Sequence, residues 1–311
     1  MHGDAGLRMG AADWLLLLLL SVLWGASFFF GKVAVSAVPP LTTALVQVAV
    51  AALALRLWMR SLGEAPALMG EAPYWVLGLF NNVIPFALEL WALTRISSGL
   101  AAILNATSPL WGAVLAHVFT RDERLAAEKV LGVLIGVAGV AVISGQAVID
   151  GMGGDTWAQV AMVLATLSYG IAGVYSRKLT GTSPWRIAAG QLSTSAAMLL
   201  PLAAWMEHPW TLPTPPASAW GALAGLALLS TALGYGIYFK IIARAGATNA
   251  LLVTLLMPIS TLVLGRVVLG EPIVPRQLGG MSLILLGLVI LEGRLAHALW
   301  AALPKPDAWK G

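Results

Sequence analysis

The chain has no cysteine, and only 10% of its 311 residues are charged. Without cysteine there are no disulfides, thiolate nucleophiles or cysteine metal sites, and the compartment is left open. So little charge excludes a soluble domain, which carries about 25% charged residues. Histidine is sparse too: His2, His117, His208 and His297 are scattered, and no apolar span carries two acids. The glycine runs lie within apolar spans and are not followed by Gly-Lys-Ser/Thr, so they are not phosphate loops. These gaps remove a nucleophile–base set, an intramembrane di-aspartate, a histidine-rich metal site and a nucleotide-binding loop. No enzyme and no cofactor is expected. What the chain does have is apolar surface, with 59% hydrophobic residues and a mean hydropathy of +0.85. It reads as an all-α integral membrane protein whose first partner is the lipid bilayer.

About 20 apolar residues cross a bilayer. Ten segments qualify: 13–34, 42–60, 74–93, 98–119, 129–147, 157–177, 185–204, 219–240, 247–267 and 276–296. Pro39, Pro40, Pro66, Pro73, Pro184, Pro213, Pro215, Pro216 and Pro272 fall in the gaps, where they punctuate. The run from Trp14 to Phe30 is too long for a signal-peptide core and lacks a small-x-small site after it, so it reads as an uncleaved first helix. The net charge of +4 and pI of 9.6 come from Lys and Arg in short loops, so no nucleic acid is expected. With the N-terminus inside, 14 of the 18 Lys and Arg residues fall on the inner side. Lys32, Arg95, Arg266 and Arg276 are left outside, and the longest outer loops carry Asp150, Asp155 and Glu207. The positive-inside rule then predicts a multi-pass protein of the inner (plasma) membrane with both termini in the cytoplasm.

The chain also repeats. Trp24-Gly25, Lys32, Pro39 and Trp75 recur as Tyr169-Gly170, Arg177, Pro184 and Trp220, each 145 positions later. Pro109 matches Pro258, Asp122 matches Glu271, and GVLIGVAGVAVI (132–143) matches GMSLILLGLVIL (280–291) at offsets of 148 or 149. Each half, 1–150 and 151–311, holds five spans. An odd number forces the second half to enter from the opposite side, which predicts two five-helix inverted-topology repeats. Proteins so built bind a small-molecule substrate near the membrane midplane between the halves. A monomer is compatible with this plan.

Three stretches carry a family resemblance: WGASFFFGKVAV (24–35), the paired AAILNATSPLWG (101–112) and NALLVTLLMPIS (249–260), and LGEP (269–272) before a glycine-rich last span. Through them the chain resembles a ten-helix member of the drug/metabolite transporter superfamily with two tandem EamA-type units. The first half departs from that pattern with Arg121-Asp122-Glu123-Arg124 in place of a Gly-Glu step. The resemblance implies export of amino acids, aromatic ones among them, or of other small metabolites.

The spans from Tyr74 to Phe119 concentrate polar and helix-breaking residues that a bilayer tolerates only for a reason. Asn82, Pro85, Phe86 and Glu89 fall on one helical face, and Pro85 would free the Asn81 carbonyl. Asn82 is read as cavity-lining, with packing as the alternative; Asn81 is open between the two. Glu89 is the one acid well inside a span, and three roles are open to it. It binds a substrate ammonium, carries a coupling proton, or pairs with Lys32. Asn105 beside Pro109 and Thr254 beside Pro258 are symmetric polar positions. Trp24, Tyr169, Tyr235 and Tyr238 supply aromatic lining, with Trp91 and Trp111 nearby. Trp14, Trp58, Trp75, Trp157, Trp205, Trp220 and Trp300 lie near span ends and read as an interface belt, and His117 as an interfacial or packing residue. No intramembrane Lys or Arg cluster awaits a phosphate. The polar chemistry is expected in the first half and the tyrosines in the second.

Overall fold

The computed structural model describes residues 10–64, 71–119, 127–149, 154–179, 181–245 and 253–291. They form ten helices: α1 (Ala11–Val35), α2 (Pro40–Ser61), α3 (Ala72–Leu93), α4 (Ser98–Phe119), α5 (Ala127–Ile149), α6 (Gly154–Ser176), α7 (Pro184–Met206), α8 (Ala217–Ile242), α9 (Val253–Val268) and α10 (Pro275–Leu291). Among the described residues, seven are long and apolar enough to cross a membrane, and α5, α9 and α10 contribute shorter apolar stretches. Prolines open α2, α7 and α10, where a missing N–H costs nothing. Leu15, Leu53, Leu57, Leu134 and Val267 are exposed. A bilayer makes that apolar surface the natural exterior of a multi-pass membrane protein.

Consecutive spans alternate in direction. The membrane face where α1 begins is called the near face below, and the opposite one the far face. Contacts between the halves follow the inverted repeat closely. α1 packs on α8 and α9, and its repeat mate α6 packs on α3 and α4. α2 packs on α7, and α5 on α10. The α1–α8–α9 triad and the α6–α3–α4 triad are thus two copies of one arrangement, each mixing helices from both halves. Hydroxyls stitch each triad internally. Ser230 donates to the Leu23 carbonyl (2.6 Å) and Thr261 to that of Gly25 (2.9 Å). In the other triad, Ser168 donates to the Phe80 carbonyl (2.6 Å), and Thr107 bonds Thr166 (3.3 Å).

The α5–α10 contact has its own basis. Gly132 and Gly139 are the repeat mates of Gly280 and Gly287, and they pair crosswise. A Cβ on Gly139 would lie 2.7 Å from the Gly280 carbonyl oxygen, and one on Gly287 2.5 Å from that of Gly132. Backbone meets backbone here, the close approach that small residues permit in membranes. Gly139→Ala is expected to lower stability by about 1–3 kcal/mol through overpacking. Gly279→Ala, which would project into open space, should be neutral. Thermal unfolding followed by size-exclusion chromatography in detergent separates the two.

Candidate functional site

Helix α3 is not a regular α-helix. Residues Leu79–Val83 form a π-turn, in which the N–H of Ile84 bonds the carbonyl of Leu79 five residues back. In that wider turn the carbonyl facing Pro85 belongs to Phe80, and proline has no N–H to give it. Ser168 of α6 supplies the missing donor. The freed carbonyl is therefore that of Phe80 and not of Asn81, because α-helical counting is off by one residue across a π-turn. The extra residue also turns the two asparagines relative to the rest of α3. Asn82, expected to line a cavity with Phe86 and Glu89, is fully buried and donates to the Ser195 hydroxyl of α7 (3.0 Å). Asn81 takes the inward position. Its amide donates to the side-chain oxygen of Gln191 on α7 (3.1 Å) and to the Tyr235 hydroxyl on α8 (3.3 Å). Gln191 donates to the same hydroxyl (3.4 Å), so Tyr235 accepts from two amides and these bonds leave its own proton uncommitted. α8 carries a matching π-segment, Gly225–Leu233.

Glu89 lies beyond the π-turn. The Tyr169 phenol of α6 lies near its carboxyl, while Oε1 is buried with no hydrogen-bond partner among the described residues. The Tyr235 phenol is close enough to that of Tyr169 to interact with it electrostatically. Tyr169 and Trp24 are repeat mates, and so, at the same offset of 145, are Glu89 and Gly234. The second half repeats the pairing with different chemistry: the Trp24 indole nitrogen lies 2.5 Å from where a Cβ on Gly234 would stand. An indole occupies the space that a carboxyl holds in the other half. Trp24 also packs on Tyr238, with centroids 5.1 Å apart, and Tyr235 stacks on Phe239 at 5.9 Å.

The other expected residues are placed as follows. Phe86 is half-buried against the core. Asn105 ends the first part of α4, and Ser108 donates to its carbonyl (2.7 Å) in place of the N–H that Pro109 lacks. Thr254 is half-buried on α9, in the opposite triad from Asn105. Lys32 donates to the carbonyls of Leu93 (2.6 Å) and Ile96 (2.8 Å) at the end of α3, and not to Glu89. Trp14, Trp58, Trp75, Trp157, Trp205 and Trp220 are exposed, while Trp24, Tyr169 and Tyr235 are half-buried. His117 is exposed near the near-face end of α4. Asp122 and Trp300 lie outside the described residues. Gln191 and Phe239 were missed in the sequence, although Gln191-Leu192-Ser193-Thr194-Ser195 is a conspicuous polar run inside an apolar span. A separate cavity of about 210 Å³ between α4, α5 and α6 is walled by Leu110, Trp111 and five valines, with Thr107 at its edge. It takes no part in the polar cluster.

Ten spans in an inverted repeat, with buried amides, phenols and a carboxyl where the triads meet, make a membrane transport protein and not an enzyme. The chain belongs to the EamA-like transporter family, whose model matches residues 13–145 and again 156–292. It is 26% identical over 290 residues to an uncharacterized transporter of Archaeoglobus fulgidus, covering 89% of this chain and 98% of that one. A probable terminal-alkyne amino-acid exporter of Streptantibioticus cattleyicolor is 25% identical over 290 residues, covering 93% and 95%. A solved crystal structure shares the fold at a TM-score of 0.64 and 20% identity, covering 90% of this chain and 97% of that one.

The π-turn can be tested by a double-mutant cycle. Ser168→Ala leaves the Phe80 carbonyl unpaired and should cost about 1–3 kcal/mol. Pro85→Ala restores a backbone donor, so the two losses should be clearly less than additive in thermal unfolding.

Proposed function

We propose that the protein is a secondary transporter that exports amino acids across the inner membrane by alternating access, with the near face and both termini in the cytoplasm. The orientation rests on the distribution of Lys and Arg between the loops. The substrate class rests first on Glu89, whose buried Oε1 has no partner among the described residues. A carboxylate oxygen held in an apolar span without a donor is unfavourable, and a substrate ammonium satisfies it. The substrate carboxylate meets the uncommitted proton of the Tyr235 hydroxyl, which the Asn81 and Gln191 amides hold in place. Its side chain lies against Trp24, Phe86, Tyr169 and Tyr238, with Asn105 and Thr254 facing it from opposite triads. Asn82 positions α3 from behind through Ser195. The bound form is thus a zwitterion with an apolar or aromatic side chain, carried by a monomer.

One observation favours a second reading, a permease for lipophilic cations and other drugs or metabolites. A single carboxylate among aromatic rings also attracts an organic cation that bears no carboxylate. Uptake of a panel of labelled amino acids and quaternary amines into proteoliposomes, with and without a pH gradient, tells the two apart. Saturable, counterflow-competent movement of neutral amino acids supports the first reading; movement of quaternary amines alone supports the second. Under the first, Glu89→Gln should raise KM for amino acids by about 10- to 100-fold, the loss of one charged hydrogen bond. An unchanged KM would remove Glu89 from the site.

A further inference from the structure

The two triads touch each other mainly in their far-face halves. α1 meets the final part of α3 and the first part of α4, and α9 meets that same part of α4. Among the described residues, the near-face halves of α4 and α8 make no comparable contact across this seam. The far-face seam is tight. A Cβ on Gly31 of α1 would lie 2.9 Å from Leu93 of α3, and one on Gly99 of α4 2.6 Å from Leu262 of α9.

Two charged residues close it. Lys32, on α1, donates to the Leu93 and Ile96 carbonyls (2.6 and 2.8 Å), the unpaired C-terminal acceptors of α3. Glu271, in the segment after α9, accepts from the N–H of Ser98 (3.0 Å), its hydroxyl (2.7 Å) and the N–H of Gly99 (3.4 Å), the unpaired donors that open α4. The short turn between α3 and α4 is therefore gripped on both sides by side chains of the opposite triad. Each charge has the sign that suits the helix end it meets. Lys32 and Glu271 also attract one another. Asp155 at the start of α6, in the triad of α3 and α4, attracts Lys32 as well. Among the described residues the remaining ion pairs do not bridge the triads: Asp13–Arg244 (2.9 Å) joins α1 to the residues just after α8 within one triad. Glu207 binds the start of α2, and Glu71 meets Arg186 of α7.

We infer that Lys32 and Glu271 form a far-face latch, which holds the triads together when the site is closed on that side and releases when it opens there. The inference rests on the alternating-access reading above. Because the latch binds backbone groups at helix ends, opening exposes those groups to water at the membrane surface and leaves none stranded in lipid.

The absence of native cysteine permits a direct test. Spin labels are placed at Thr94→Cys, in the α3–α4 turn, and at Val268→Cys, at the end of α9, both exposed. Distances are measured by double electron–electron resonance on the purified full-length protein in nanodiscs. The starting protein should give mainly the short, closed distance. Lys32→Gln or Glu271→Gln should raise the population at a longer distance about tenfold, the loss of a charged hydrogen-bonded contact, and Lys32→Arg should restore the closed distance. If Glu271→Gln does not fold, Glu271→Asp, one methylene shorter, is read in the same way. Distances unchanged in every variant that folds would overturn the latch. No substrate enters this measurement, so the latch can fail while amino-acid transport stands, and the reverse.

Discussion

Everything in this structure answers to a solvent that offers no hydrogen bonds. In hydrocarbon, a backbone carbonyl left open by a proline must be satisfied from within the protein. Pro85 and Pro109 each open one. Ser168 closes the first from a neighbouring helix, and Ser108 closes the second from within the same helix. At the membrane surface the same demand falls on whole helix ends, met by Glu207 at α2, Lys32 at α3 and Glu271 at α4. Few charges are present, and several of them are committed to backbone groups.

Much of the architecture was legible because duplication leaves marks that do not depend on function. The ordered offsets of 145 to 149 residues carried the inverted repeat. The site was less legible for two physical reasons. Periodicity assumes 3.6 residues per turn, and the π-turn at Leu79–Val83 breaks that assumption just where the polar residues lie. Asn82, read as cavity-lining, consequently turns to Ser195, and Asn81, which the sequence left open, turns to Gln191 and Tyr235. Partnership across 100 residues or more also has no local signature: nothing near Asn81 points to Gln191 or Tyr235. Glu89 was found because an isolated acid in an apolar span stands out whatever its partner, but Tyr169 was matched to it only in three dimensions.

The repeat also explains why the site is lopsided. Backbone symmetry is strong, down to π-segments in both α3 and α8, yet the side chains at equivalent points diverge. Where one half sets Tyr169 beside Glu89, the other sets Trp24 beside Gly234. Two copies of one scaffold thereby meet with different side-chain chemistry on each side.

The glycine contact between α5 and α10 has a practical consequence. Helices that meet backbone against backbone have no side chains to slide over one another, and this pair lies outside both triads. Under the alternating-access reading proposed above, it is the natural fixed frame of the molecule. An antibody fragment or fusion partner intended as an imaging marker, if mounted on that edge, would report how the rest of the bundle turns without turning with it.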